Sequence, residues 1–230
     1  RFFQLRTKIT RENQIVVGES TTKYLTPFVT ALDGAWVEMI YKADEIGKAG
    51  KIAEIAYSWN SGDEVTADVN IYLAEVTKSE FANPNTTPES ELTLVYSGTG
   101  ITLCDSAWET FVLDNSFNYS GENNLLVVVS TSNLSATSQN YWNCYSDANT
   151  VLVDSNTDDL LFDKKPVMLL TLAEEVVPEP VAPAAPEVVN VESVTESTIT
   201  LTWNTVESAE YYNIYSVDFD TTYVTFVVDS

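Results

Sequence analysis

Four of the chain's eight prolines fall within Glu174–Pro186, EEVVPEPVAPAAP, and this run constrains the fold more than any other stretch. Pro178, Pro180, Pro183 and Pro186 each lack a backbone donor and push the preceding residue towards extended conformations. Neither a helix nor a central strand survives that spacing. The segment is expected to be a semi-rigid spacer, its 13 residues reaching up to roughly 40 Å at about 3.1 Å each. The chain therefore divides into a first region, 1–173, a linker, 174–186, and a shorter region, 187–230.

Before the linker, short strand candidates recur with Gly, Asn, Asp and Ser between them, the pattern of an all-β sandwich or barrel. Strands are expected near Gln14–Gly18, Ala35–Tyr41, Lys51–Asn60, Thr66–Val76, Thr93–Ser97, Trp108–Leu113, Asn124–Thr131, Tyr141–Tyr145, Val151–Val153 and Val167–Leu172. Helix is scarce, with room for one turn at Ala43–Ile46 and another at Thr77–Ala82. Imperfect alternation of Ile52, Ile55 and Tyr57 predicts a bulge or two-sided burial. The run Leu125–Val129, LLVVV, is continuous and β-branched, as in a central strand covered on both faces. Glu80–Glu91 has two prolines and few apolar residues, so it reads as a surface loop of the kind that carries binding.

Composition mainly excludes. No histidine occurs among the 230 residues, which rules out a histidine general base, a Ser-His-Asp arrangement and zinc sites with histidine ligands. Acidic residues outnumber basic ones 34 to 11, a net charge of −23. That balance disfavours nucleic acid or an anionic membrane as partner. All basic residues lie at or before Lys165, and no apolar run is long enough to span a bilayer. A start at Arg1 without Met suggests a piece of a longer precursor.

Several residues are candidates for chemistry. Cys104 and Cys144, the only cysteines, form either a structural disulfide or two buried thiols acting as small hydrophobes. Asp154, Asn156 and Asp158 offer oxygens at the i, i+2, i+4 spacing of a calcium loop, with Asp159 beside them, although the glycine and distant glutamate of an EF-hand are missing. A plain polar turn is the alternative. In Tyr141–Tyr145, YWNCY, the two-residue period puts Tyr141, Asn143 and Tyr145 on one face and Trp142 with Cys144 on the other. With the latter pair inward, the tyrosine face becomes a stacking platform for sugars; otherwise these tyrosines pack against a neighbouring loop. Trp36 and Trp59 are further aromatic candidates.

Three blocks, IYKADEIGKAGKIAEIAYSW (Ile40–Trp59), VNIYLAEVTKSEF (Val69–Phe81) and WETFVLDNSFNYSGENNLLVVVS (Trp108–Ser130), resemble the jelly-roll, cleaved-adhesin-type modules of large secreted Bacteroidetes surface proteins. The resemblance spans roughly residues 14–172. It implies a jelly-roll topology, a secreted or cell-surface setting, a glycan or host surface protein as partner, neighbouring domains on the same polypeptide, and the calcium such modules often hold.

After the linker, Ile199, Leu201 and Trp203 alternate with Thr198, Thr200 and Thr202, a half-buried strand. SVTESTITLTWNTVESAEYYNIY resembles the opening half of a fibronectin type III domain, with Trp203 and Tyr212 at its core positions. Such a sandwich needs close to 100 residues, so Glu187–Asp229 is expected to form at most three or four strands of it. The expected class is thus all-β: a jelly-roll-like sandwich followed by a partial fibronectin-like one. The expected role is a non-catalytic extracellular adhesion or binding module. The alternatives are a carbohydrate-binding module serving a hydrolase or peptidase, and a ligand-free spacer.

Overall fold

The computed structural model describes residues 12–104, 106–154, 159–174, 186–187, 189–207, 209, 214–215 and 223–224. The chain forms two compact units, Arg1–Glu174 and Glu175–Ser230. The first is built from strands β1 (Gln14–Val17), β2 (Thr22–Tyr24), β3 (Trp36–Tyr41), β4 (Gly50–Ser61), β5 (Val65–Val76), β6 (Thr93–Leu103), β7 (Trp108–Tyr119), β8 (Asn124–Ser132), β9 (Tyr141–Asp154), β10 (Asp159–Pro166) and β11 (Met168–Leu172). Its only α-helix among the described residues is the single turn α1 (Ala43–Ile46), with one 3₁₀ turn at Glu89–Glu91.

Every strand pairing is antiparallel. One layer runs β1-β11-β4-β7 and the other β9-β3-β8-β5-β6, with β2 and β10 also on β9. The pairs β3–β8, β4–β7 and β5–β6 are nested in sequence, so a ribbon of β3-β4-β5 lies against β8-β7-β6. The β5–β8 pairing closes that ribbon into a roll. This is the jelly-roll form of the expected all-β sandwich. At its end β4 leaves its own layer, Trp59 and Ser61 pairing with Trp142 and Tyr141 of β9.

Between the layers sits the main core, which includes Phe28, Met39, Tyr57, Val127, Val129, Trp142 and Leu170. Phe28 packs on Trp142, Phe111 and Tyr57, with ring centroids 4.9, 5.4 and 5.7 Å away. The other face of the β9-β3-β8-β5-β6 layer carries a second core, Ile40, Tyr72, Leu126, Val128 and Leu152, into which Phe81 inserts. Leu125–Val129 is therefore buried on both sides, and the loop 77–92 supplies the outer cover. Expected bulges occur in β4, between Ile52 and Glu54 and between Trp59 and Ser61.

Three local expectations are corrected. Thr77–Ala82 is not helical, because Phe81 is drawn into the outer core. Val151–Val153 is not a separate strand but continues β9, and Lys164–Pro166 continues β10 past a break: Phe162 pairs with Val151, then Lys164 with Ser146. At this break the β9–β10 ribbon bends. Finally, β2 and β10 have no counterpart among the expected strands.

In the second unit β12 (Val189–Val194) pairs with β13 (Ile199–Trp203), and β14 (Ile214–Tyr215) with β15 (Tyr223–Val224). Leu201 and Trp203 are half-buried, whereas Ile199 is 65% exposed and Val191 61%. The expected half-buried face is thus only partly covered among the described residues. Tyr212 and most of the linker, including Pro178, Pro180 and Pro183, lie outside the described residues.

Candidate functional site

Period-two alternation along β9 places Trp142 and Cys144 in the main core, both fully buried, and turns Tyr141, Asn143 and Tyr145 the other way. These three do not form an open platform. The Tyr145 ring lies against Gly18, where a Cβ would meet Tyr145 Cε1 at 2.1 Å, and its hydroxyl donates to Glu45 Oε1 at 3.0 Å. Asn143 Nδ2 donates to Ser58 Oγ and to the Trp59 carbonyl at 2.8 and 3.1 Å, while its Oδ1 accepts from Asn60 Nδ2 at 2.9 Å. Tyr141 is half-buried under the Lys23 ammonium, 4.6 Å from the ring centre. This face is satisfied by its own neighbours. Trp59 is half-buried against the main core with its indole nitrogen buried and unpartnered.

Trp36 stands differently. On the outer face of the β9-β3-β8-β5-β6 layer, residues cross the strands in rows. One row is Leu152, Glu38, Val128, Tyr72 and Leu94; the next is Asp154, Trp36, Ser130, Asn70 and Ser97. Between these rows the face changes from apolar to polar. The change is written into each strand: β5 presents Thr66, Asp68 and Asn70, then Tyr72, Ala74 and Val76, and β8 presents Ser132 and Ser130, then Val128 and Leu126. Loop 77–92 covers the apolar half.

The junction is rigid. Glu38, fully buried, accepts hydrogen bonds from Thr87 N at 2.6 Å, Thr87 Oγ1 at 2.7 Å and Trp36 Nε1 at 3.0 Å. Lys78 Nζ donates to Thr87 Oγ1 at 3.2 Å, which brings a positive charge within one residue of this carboxylate. The Trp36 ring also leans on Tyr72, centroids 5.3 Å apart. In the polar row, Asn70 and Ser130 are half-buried, yet their side chains hold no hydrogen bond to another described residue. Asp68 in the following row is occupied by Gly100 N at 2.8 Å and Asn133 Nδ2 at 2.6 Å. Of the seven described lysines, Lys78 approaches the junction through Thr87, and none belongs to the polar rows.

Of the calcium candidates, Asp154 and Asp159 are cross-strand partners that close the β9–β10 hairpin; Asn156 and Asp158 lie outside the described residues. Among the described residues no group of three or more His, Cys, Asp or Glu side chains is placed to hold a metal ion. Cys104 and Cys144 are both buried, and no disulfide joins them in this structure. Burial pushes the Cys144 thiol up to about 12, against smaller effects of hydrogen bonds to Thr26 and Tyr24.

One charged cluster gave no signal in the sequence. At the β9–β10 bend the fully buried Lys165 donates to Glu45 Oε2 and Asp147 Oδ2, both at 2.7 Å, and to the Ile40 carbonyl at 3.0 Å. Lys42 Nζ donates to the other oxygen of Asp147 at 2.9 Å. All three ammonium donors of Lys165 are used, leaving it no role as a nucleophile. The cluster pins the bend to α1, where Glu45 also caps the Lys42 backbone N–H at 2.9 Å.

No family model and no curated protein matches the chain. Among the described residues no helix is long and apolar enough to cross a membrane.

Proposed function

We propose that this protein is a non-catalytic, extracellular or cell-surface adhesion module of a larger multidomain polypeptide, and that it engages its ligand through the polar half of the outer face around Trp36. One observation carries the reading: a fixed aromatic ring borders half-buried Asn70 and Ser130, whose side chains bond to nothing else described. Polar groups held by no neighbour at a partly exposed surface can exchange solvent for a ligand's donors and acceptors. The lack of histidine supports a binding role over acid–base catalysis. The resemblance to cleaved-adhesin-type modules and fibronectin repeats supports the surface setting and the neighbouring domains.

A carbohydrate-binding module serving an attached hydrolase or peptidase is the second reading, favoured by the same aromatic ring. The full chain should be applied to an array of glycans and extracellular proteins, first with calcium and then with a chelator. Saturable binding that Trp36→Ala abolishes supports the site. Hydrolysis of an arrayed ligand would refute the non-catalytic reading, and binding to nothing in either condition would make the module a structural spacer.

A further inference from the structure

We propose that the ligand of this face is an extended, uncharged polysaccharide, bound side-on along the row Asp154, Trp36, Ser130, Asn70 and Ser97. The proposal rests on the binding reading above and names the chemistry of the same site.

Four features carry it. Charge comes first: no described lysine belongs to the row, Asp68 lies in the next one, and the chain is at −23. A uronic or sialylated polymer would approach Asp68 and the strongly negative field of the chain, whereas an uncharged one is not repelled. Hydrogen-bonding capacity comes second. Ser130 both donates and accepts, and the Asn70 amide offers two donors and an acceptor, which matches sugar hydroxyls that also do both. A site that leaves such groups unpaired without its ligand discriminates strongly against surfaces lacking hydroxyls.

The third feature is the wall. Trp36 is held by Glu38 at its indole nitrogen and by Tyr72 at its ring, so little side-chain freedom is lost when a sugar face stacks on it. The fourth is length. The row crosses five strands, four inter-strand steps or about 19 Å at 4.7–4.9 Å each. That is longer than one sugar ring, and the row runs out at β6, the last strand of its layer. A polymer can therefore run on beyond β6, while at the other end β10 pairs with β9.

Affinity electrophoresis and calorimetry of the full chain test this, with mixed-linkage glucan, mannan and xylan as neutral probes, polygalacturonate as acidic probe and chitosan as basic probe. We expect binding to at least one neutral polymer, no competition by its monosaccharide, and a loss of about tenfold or more in Trp36→Ala, since 1.4 kcal/mol is tenfold. Asn70→Ala breaks no side-chain hydrogen bond to another described residue, and a several-fold loss is expected from it without a change in melting temperature. Trp36→Phe keeps a stacking ring, so it should retain more affinity than Trp36→Ala. Binding confined to polygalacturonate or chitosan, and lost in Asn70→Ala, would overturn the uncharged class while leaving the site in place. Neutral-polymer binding untouched by either Ala variant would overturn the site, and competition by monosaccharide would overturn the side-on mode. Failure to bind every probe would overturn the polysaccharide assignment.

Discussion

Burial decides the behaviour of individual side chains here, and two predictions follow at that scale. Cys144 is fully buried with its thiol pushed up to about 12, and Cys104 is 4% exposed. The thiolate is the reactive form, so a thiol reagent at neutral pH should label neither in the native protein. After denaturation it should label both without any reductant; a need for reductant would restore the disulfide. Asp147 behaves in the opposite sense. Burial works against its carboxylate, but the hydrogen bonds and charges of Lys165 and Lys42 outweigh burial and hold its pKa below the ordinary value. A depressed carboxyl contributes stability that is complete above the unfolded-state value, near about 4, and is lost as pH falls through the folded one. Asp147→Asn should therefore cost about 3 kcal/mol at neutral pH, and its denaturation curve should converge on that of the unaltered protein in acid. Parallel curves would mean that another group is linked. The site was legible only in fragments. Alternation in YWNCY separates Trp142 and Cys144 from the tyrosines without saying which set faces inward, and Trp36 stands out as an aromatic. Its neighbours Asp154, Ser130 and Asn70 come from three other strands, so no local window contains them. Lys165 was illegible because DKKP looks like a solvated turn; its partners Glu45 and Asp147 lie 120 and 18 positions away.

At the scale of elements, the switch from polar to apolar along β5 and β8 determines where loop 77–92 lies. The loop is fastened at two points, Phe81 in the outer core and Thr87 on Glu38. Thr87→Val removes the hydroxyl donor while keeping the shape, leaving one oxygen of a buried carboxylate without it. A loss of about 1–3 kcal/mol is expected in chemical denaturation. Phe81→Ala should cost about 3–5 kcal/mol and increase binding of a hydrophobic dye, because it uncovers Ile40, Leu126 and Val128. An unchanged dye signal would show that the loop does not seal this face. Most strands were legible because turn residues separate runs of alternating or continuous apolar character, LLVVV being the clearest. The misses share a physical cause. β2 has only three residues, and β10 ends in three charged or helix-neutral positions before Pro166, so tertiary pairing with β9 rather than local pattern makes both into strands.

For the whole molecule, the charge of −23 opposes compaction through self-repulsion, which salt screens. The melting temperature should rise from low to physiological ionic strength in a neutral salt; a fall would mean that specific ion pairs such as those of Lys165 outweigh the net charge. The edge strand β1 and its neighbour β11 carry a different consequence. Gln14 lies opposite Thr171 and Val17 opposite Met168, so the start of β1 and the end of β11 lie at the same end of two adjacent antiparallel strands. Tension applied through residues 12 and 174 would not load their hydrogen bonds in parallel. It would peel them apart in turn, beginning at Gln14 and Thr171, as a zipper opens. If the Trp36 face binds as proposed, the β1–β11 seam on the other layer yields before that face does, and the seam acts as a mechanical fuse.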